Sequence, residues 1–216
     1  MFDLDGTLID SRRDLADSTN EMLATYGAPA LPLERVLSMV GEGAKILVQR
    51  ALAASGLDRD DPHALDRFRE IYDRNLLVHT RPYEGIPDVV AMLAARHPLG
   101  VLTNKPEAPT RRLLDAFALA PYFTWVVGGD SNFPRKPDPA ALRSLMEQAA
   151  VSPDSTMLVG DSMVDVETAR RAGAQICVAR YGFGRLRGEP GLNEVACAIE
   201  APGDLIATVQ ALQLRV

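Results

Sequence analysis

Met1-Phe2-Asp3-Leu4-Asp5-Gly6-Thr7 opens the chain, and the reading of everything after it turns on this stretch. Two carboxylates stand two apart, and Gly-Thr follows at once. In an extended segment residues i and i+2 point the same way, so Asp3 and Asp5 face one pocket if the strand runs to Asp5. Gly6 then permits a sharp turn, and Thr7 brings a hydroxyl and an amide beyond it. Carboxylates this close raise each other's pKa unless a cation sits between them. Two useful arrangements are a metal site, or a nucleophile beside a general acid/base. The plain alternative is an Asx turn after a short edge strand. Only Met1 and Phe2 precede Asp3, whereas a buried strand usually has about five or six residues. The first strand is therefore expected to be a stub, or to begin before the sequence given.

Beyond the motif, Asp10 to Asp14 reads as a helix start, with Ser11 and Asp14 resembling a capping box. Helical periodicity runs from there to about His79. Leu15, Met22, Leu23 and Tyr26 mark a first helix, broken by Gly27-Ala28-Pro29. A second runs from Ala44 to Ser55-Gly56. A third follows Asp61-Pro62, with Leu65, Phe68, Ile71, Tyr72 and Leu76 on one face. This segment contains no convincing strand and reads as an inserted helical bundle. After it, short apolar runs alternate with helices. The runs are Leu99–Thr103, Phe123–Gly128, Met157–Gly160, Gln175–Ala179 and Val195–Ile199. The helices are Gly85–Arg96, Pro106–Phe117, Pro139–Ala150, Val164–Ala172 and one from about Gly203. Continuous apolar runs separated by helices indicate a parallel sheet covered on both faces. The expected fold is α/β, a doubly wound, Rossmann-like parallel sheet formed by residues 1–11 and 82–216, with a helical cap at 12–81.

Bulk properties narrow the function. The 216 residues are 47% hydrophobic and 24% charged, ordinary values for a soluble globular protein. A net charge of −6 argues against nucleic acid, which needs clustered Lys and Arg. A small phosphorylated substrate remains open, because a metal ion can reverse the local sign. The two cysteines, Cys177 and Cys197, read as buried small residues with no disulfide framework. No apolar run reaches the ~18 residues of a membrane span. The expectation is a cytoplasmic monomer or homodimer with no membrane partner.

Ligands bind open parallel sheets at the carboxyl ends of the strands. There the chain places Asp3 and Asp5, then Thr103-Asn104-Lys105, then Gly128-Gly129-Asp130 leading to Arg135-Lys136-Pro137. Gly160-Asp161-Ser162 follows, with Asp165 one turn on, and finally Tyr181-Gly182-Phe183-Gly184. Singly, each has a structural reading: Thr103-Asn104 and Asp161-Ser162 as helix caps, Lys136-Pro137 as a solvated loop, Asp165 as a first-turn acid. Together, at successive strand ends, they indicate a site.

Four of these motifs, in this order, resemble those of the haloacid dehalogenase-like hydrolases: Asp3-Leu4-Asp5-Gly6-Thr7, Thr103-Asn104, Lys136 in Lys136-Pro137-Asp138-Pro139, and Gly160 to Asp165. The inserted helices match that family's cap. Gly41-Glu42-Gly43-Ala44-Lys45, Gln49-Arg50-Ala51-Leu52, Leu102 to Pro106, Gly128-Gly129-Asp130 and Arg180 to Gly184 resemble its phosphoglycolate phosphatase subgroup. The resemblance implies a Mg²⁺-dependent phosphomonoesterase releasing glycolate and phosphate from 2-phosphoglycolate. It implies Asp3 as nucleophile, forming an aspartyl phosphate, and Asp5 as acid and then base. Gly6, Thr103, Asn104 and Lys136 would hold phosphate, with Thr103 and Lys136 also serving catalysis. Asp3, the Asp5 carbonyl, Asp161 and Asp165 would hold Mg²⁺. Gly43, Lys45 and Arg50 are the cap's candidate substrate contacts. Charge counting agrees: four ionised acids against Lys136 leave −3, and one Mg²⁺ with a proton on Asp5 restores neutrality. Two alternatives stay open at this point. One is a phosphatase of another sugar phosphate or a nucleotide; the other is a non-catalytic phosphate-sensing module.

Overall fold

The computed structural model describes residues 1–183, 195 and 197–213. Gly184, closing the 180–184 stretch, and Ala196, inside the expected strand at 195–199, lie outside the described residues. The described chain divides into two units, Met1–Asp10 with Pro82–Val216, and Ser11–Arg81. Two-residue strands β1 (Ile9–Asp10) and β2 (Arg81–Pro82) mark the places where the chain leaves the first unit and returns.

The first unit is organised around Phe2. Its backbone forms parallel bridges to Val101 in β3 (Gly100–Leu102) and to Val159 in β5 (Met157–Gly160). Phe2 N donates to Gly100 O at 2.8 Å and Leu102 N to Phe2 O at 2.9 Å. On the other side Asp3 N donates to Val159 O at 2.8 Å, and Val159 N to Met1 O at 2.8 Å. The residues given for the first strand are thus few, and they are paired on both edges. Phe2, Val101 and Val159 are all buried, and burying each such side chain is worth roughly 1.5–3 kcal/mol. β3 pairs in parallel with β4 (Trp125–Val127). β5 pairs with β6 (Gln175–Ala179), and β6 with β7 (Ala198–Ile199), again in parallel.

The spatial order is therefore β4, β3, the Phe2 segment, β5, β6, β7. Counted along the chain from the Phe2 segment, it reads 3-2-1-4-5-6, the doubly wound arrangement. The order reverses between the Phe2 segment and β5, so a crevice is expected at the carboxyl ends of those two strands. Asp3 and Gly160-Asp161 stand there.

Cys177 and Cys197 form a disulfide, where the sequence reads as two separate buried residues. The reason is register. β6 pairs Val178 with Ala198, so residues 177 and 197 fall opposite each other, with Cα atoms 4.6 Å apart.

The Ser11–Arg81 unit is helical: α1 (Arg12–Ala24), α2 (Leu33–Leu37), α3 (Ala44–Ala54) and α4 (Ala64–Asn75). Its core holds Leu15, Met22, Leu23, Leu47, Leu52, Phe68, Ile71 and Tyr72, with the Phe68 and Tyr72 rings stacked at 5.6 Å. The five-residue α2 is too short to show a periodic pattern and was not expected. Pro62 lies just ahead of α4, as the sequence pattern predicts. The Ser11–Asp14 capping box does not form; α1 has no side-chain cap bond. Asp14 is buried and accepts instead from His79 N at 2.9 Å and from Thr80 N and Oγ1 at 2.8 and 2.7 Å. A buried carboxylate needs several donors, and the returning chain supplies them, so Asp14 ties the two ends of this unit together.

Helices α5 (Ile86–Ala94), α6 (Glu107–Ala116), α7 (Ala140–Ala149), α8 (Met163–Ala172) and α9 (Asp204–Gln213) belong to the first unit. α5 turns Ile86, Val89, Val90 and Leu93 inward, as the sequence pattern predicts. α7 and α8 share a cluster with Leu102 and Leu158, while α5 packs with α9. Among the described residues no helix is long and apolar enough to cross a membrane.

Candidate active site

The backbone pairing of the Phe2 segment ends at Asp3, and the chain then turns. Thr7, Leu8 and Ile9 donate their N–H groups to Leu4 O at 3.2, 2.9 and 3.1 Å, and Gly6 N donates to Ile9 O at 2.9 Å. The regular strand therefore stops short of Asp5, so the condition under which both acids would share one extended run is not met. Each acid meets its own lysine. Lys136 Nζ lies 2.9 Å from Asp3 Oδ1, and Lys105 Nζ lies 3.0 Å from both Asp5 oxygens.

The carboxylates of Asp3, Asp161 and Asp165 converge, with one oxygen of each within 4.8 Å of the others. Asp161 stands just after β5, and Asp165 lies one turn into α8. Asp165 also caps that helix: Ser162 Oγ and N donate to its Oδ2 at 2.5 and 3.2 Å, while its Oδ1 takes Lys136 Nζ at 2.6 Å. The structural reading of Asp165 as a first-turn acid and its place in the cluster hold together. Asp161 is gripped closely. Phe183 N donates to its Oδ2 at 2.9 Å. Gly6, at φ +86°, would bring a Cβ to 2.1 Å from Asp161 Oδ2, and a Cβ on Gly182 would lie 2.3 Å from Gly6 O. Only glycine fits these two positions.

Electrostatics follow from the crowding. Burial, opposed by Lys136 and reinforced by Asp165, pushes the Asp3 carboxyl up to about 6. Burial together with the charges of Asp165 and Asp3 raises Asp161 well above the carboxylate range, and the N–H of Phe183 works against it. Burial also opposes the charge on Lys136, but Asp165 and Asp3 outweigh that and hold it above the ordinary lysine value. Acids forced together, with ionisation disfavoured by burial and mutual repulsion, are what a cation relieves. The donors are all oxygens, which suits a hard divalent ion. The cluster fits a metal ion. The Asp5 carboxylate is turned to Lys105 and is not part of it.

Thr103 and Asn104 are buried at the end of β3. Lys105 N donates to Thr103 Oγ1 at 3.2 Å, and Asn104 Nδ2 donates to Lys136 O at 3.0 Å. The β3 turn is thereby fastened to the lysine-bearing loop after β4. Gly43, Lys45 and Arg50 belong to the helical unit. Gly43 precedes α3, Lys45 is exposed, and Arg50 is paired with Glu42 and bonded to Met39 O. Sequence reasoning missed the pairing of Lys105 and the roles of Gly182 and Phe183 around Asp161. The glycine at 182 was the available signal.

A family model described as haloacid dehalogenase-like hydrolase matches residues 1–179. A phosphoglycolate phosphatase of Rhodospirillum rubrum is 45% identical, over 86% of this chain and 80% of its own length. One from Pseudomonas putida is 39% identical, over 100% of this chain and 85% of its own. Among solved structures, a predicted phosphoglycolate phosphatase from Haemophilus somnus superposes with a TM-score of 0.90 at 28% identity, covering 96% of this chain and 95% of that one.

Proposed function

We propose a phosphomonoesterase from one premise: the chain belongs to the haloacid dehalogenase-like hydrolase family. Its substrate in this reading is 2-phosphoglycolate, hydrolysed to glycolate and phosphate, as the names of its relatives suggest. The observation that carries the proposal is the convergence of Asp3, Asp161 and Asp165 with Lys136 bridging Asp3 and Asp165.

Asp3 is the nucleophile. Its carboxylate oxygen attacks phosphorus, the bond from phosphorus to the leaving oxygen breaks, and the phosphoryl group rests on Asp3 as an acyl phosphate. Asp5 gives a proton to the leaving alkoxide and then takes one from the water that cleaves the acyl phosphate, which frees Asp3. Lys136 neutralises charge on the nucleophile and the transferring group. Thr103, Asn104 and Gly6 hold the phosphoryl oxygens. Asp3, Asp161, Asp165 and the Asp5 carbonyl would hold Mg²⁺, which, when bound, supplies charge stabilisation to the phosphoryl oxygens. Lys105 changes the charge count. Four acids against two lysines leave a fully ionised centre at −2 rather than −3, so a divalent ion alone balances it.

The segment 12–81 is the cap in this reading, with Gly43, Lys45 and Arg50 as its candidate substrate contacts. A net charge of −6 speaks against a nucleic-acid partner, and we read the protein as a monomer or homodimer. We read the protein as cytoplasmic. Disulfides are uncommon in that compartment, so thiol titration of freshly lysed protein tests this reading against the Cys177–Cys197 bond.

Phosphate release from 2-phosphoglycolate by chelated enzyme, before and after Mg²⁺ addition, tests the activity. A panel of sugar phosphates and nucleotides run alongside tests the substrate. Turnover only with Mg²⁺, and the highest kcat/KM on 2-phosphoglycolate, are expected. A higher value on another ester moves the substrate to that ester. Undiminished turnover without a divalent ion overturns the metal reading.

A further inference from the structure

We propose that Lys105 reads the carboxylate of the leaving group, so that the α/β unit itself carries a determinant of substrate choice. The inference rests on the phosphoglycolate reading above and starts from a buried cation in an unusual place. The Lys105 side chain is only 5% exposed, and its Nζ contacts both oxygens of Asp5 at 3.0 Å. Lysine is seldom buried to this degree. A buried ion pair is a weak source of stability, since apolar residues of similar volume often do as well or better. The pair needs another reason to be there.

The position supplies one. Asp5 in its proposed role comes within hydrogen-bond reach, about 3 Å, of the leaving oxygen. Lys105 Nζ lies 3.0 Å beyond the Asp5 oxygens, hence no more than about 6 Å from that leaving oxygen. In glycolate the carboxylate carbon is two bonds from the leaving oxygen. Turned towards Lys105, its oxygens come within ion-pair range of Nζ. An ammonium is a compact charge with three rotatable donors, so it can hold a substrate carboxylate beside Asp5 or exchange one for the other.

The side chain is also held in place. Gly129 N donates to Lys105 O at 2.8 Å, and Lys105 N donates to Thr103 Oγ1 at 3.2 Å. A Cβ at Gly129 would stand 2.3 Å from Asn104 O, so the Gly128-Gly129 turn is pressed against the backbone that carries the lysine. Lys45 and Arg50 in the helical unit are, by contrast, both exposed.

The experiment compares 2-phosphoglycolate with ethyl phosphate, whose leaving group is also a two-carbon primary alkoxide but carries a methyl in place of the carboxylate, in the wild type, Lys105→Met and Lys105→Arg. Losing a charge-assisted contact is expected to lower kcat/KM on 2-phosphoglycolate roughly 10- to 100-fold more than on ethyl phosphate, chiefly through KM. Lys105→Arg keeps the charge and should retain an intermediate preference. Far-ultraviolet circular dichroism and melting temperature establish that each variant is folded, and should Lys105→Met fail that check, the charge-keeping variant carries the test. Equal losses on both esters would mean Lys105 serves only to hold Asp5, and the proposal falls. A preference unchanged in Lys105→Met, or in a folded Lys105→Arg where it is the only variant, also overturns it. If the wild type shows no preference for 2-phosphoglycolate over ethyl phosphate, the substrate reading itself has failed and takes this proposal with it.

Discussion

Replacing Asp3 by Asn should abolish turnover and, in metal-free protein, raise stability. Burial pushes the Asp3 carboxyl from 3.8 up to about 6. That difference corresponds to a cost of about 3 kcal/mol for holding the ionised form in the fold at pH 8, at 1.36 kcal/mol per pH unit. Because folding raises this pKa, the cost is absent below the unfolded value near 4 and builds as pH rises through 6. Asparagine removes it. The attraction of Lys136 for the Asp3 carboxylate is already contained in that figure, and Lys136 keeps Asp165 at 2.6 Å in the variant. The net expectation is a gain of about 3 kcal/mol at pH 8, or roughly 6–12 °C in melting temperature for a chain of this size, shrinking towards pH 5. The assay is thermal unfolding of both proteins in EDTA from pH 5 to pH 8, repeated with Mg²⁺. The metal should stabilise the wild type more than the variant and so narrow or reverse the difference. A variant less stable than wild type at pH 8 in EDTA, or a difference independent of pH, would refute the electrostatic account. Appreciable turnover by pure variant would refute Asp3 as nucleophile.

Other outcomes follow from the same geometry. Asp5→Asn should cost roughly 10²–10⁴-fold on alkyl phosphates and much less on aryl phosphates, which leave without a proton; equal losses would argue against Asp5 as the acid. Asp161→Ala should raise the Mg²⁺ concentration for half-maximal activity far more than Lys136→Ala does, as read from metal titrations. Ca²⁺ should bind and inhibit, because a larger ion takes more ligands and lets Asp3 coordinate through both oxygens; activation by Ca²⁺ would contradict this. Asp14→Ala strands the N–H groups of His79 and Thr80 and should cost about 2–4 kcal/mol, with amide exchange at those two residues rising first.

Much of this was legible because it depends on local pattern. Apolar runs between helices gave the parallel sheet, and inward residues such as Ile86, Val89, Val90 and Leu93 followed from a 3.6 period. The acids at the strand ends could be collected because a doubly wound sheet gathers its ligands there. The errors have a common form. Asp14 looked like half of a capping box because its true partners lie 65 and 66 residues further on. Cys177 and Cys197 looked unrelated because their meeting depends on the register of β6 with β7. Both are long-range pairings that no local spacing encodes.

Lys105 is the most consequential case of the same kind. In the sequence it is a lysine after Thr-Asn at the start of a helix, where a solvated side chain is the ordinary outcome. In the fold it is buried, 100 residues from the carboxylate it touches. Its charge alters the chemistry attributed to the whole centre. With Lys136 alone, neutrality required both a metal ion and a proton on Asp5. With Lys105 included, the metal ion suffices and a protonated Asp5 leaves the centre positive. A centre balanced by the metal ion no longer repels a dianionic phosphate ester, and Lys105 stays beside the place of a second anion on the substrate. On the proposed reading, the pairing of Lys105 with Asp5 links the charge balance of the phosphoryl site to a preference for an acidic leaving group.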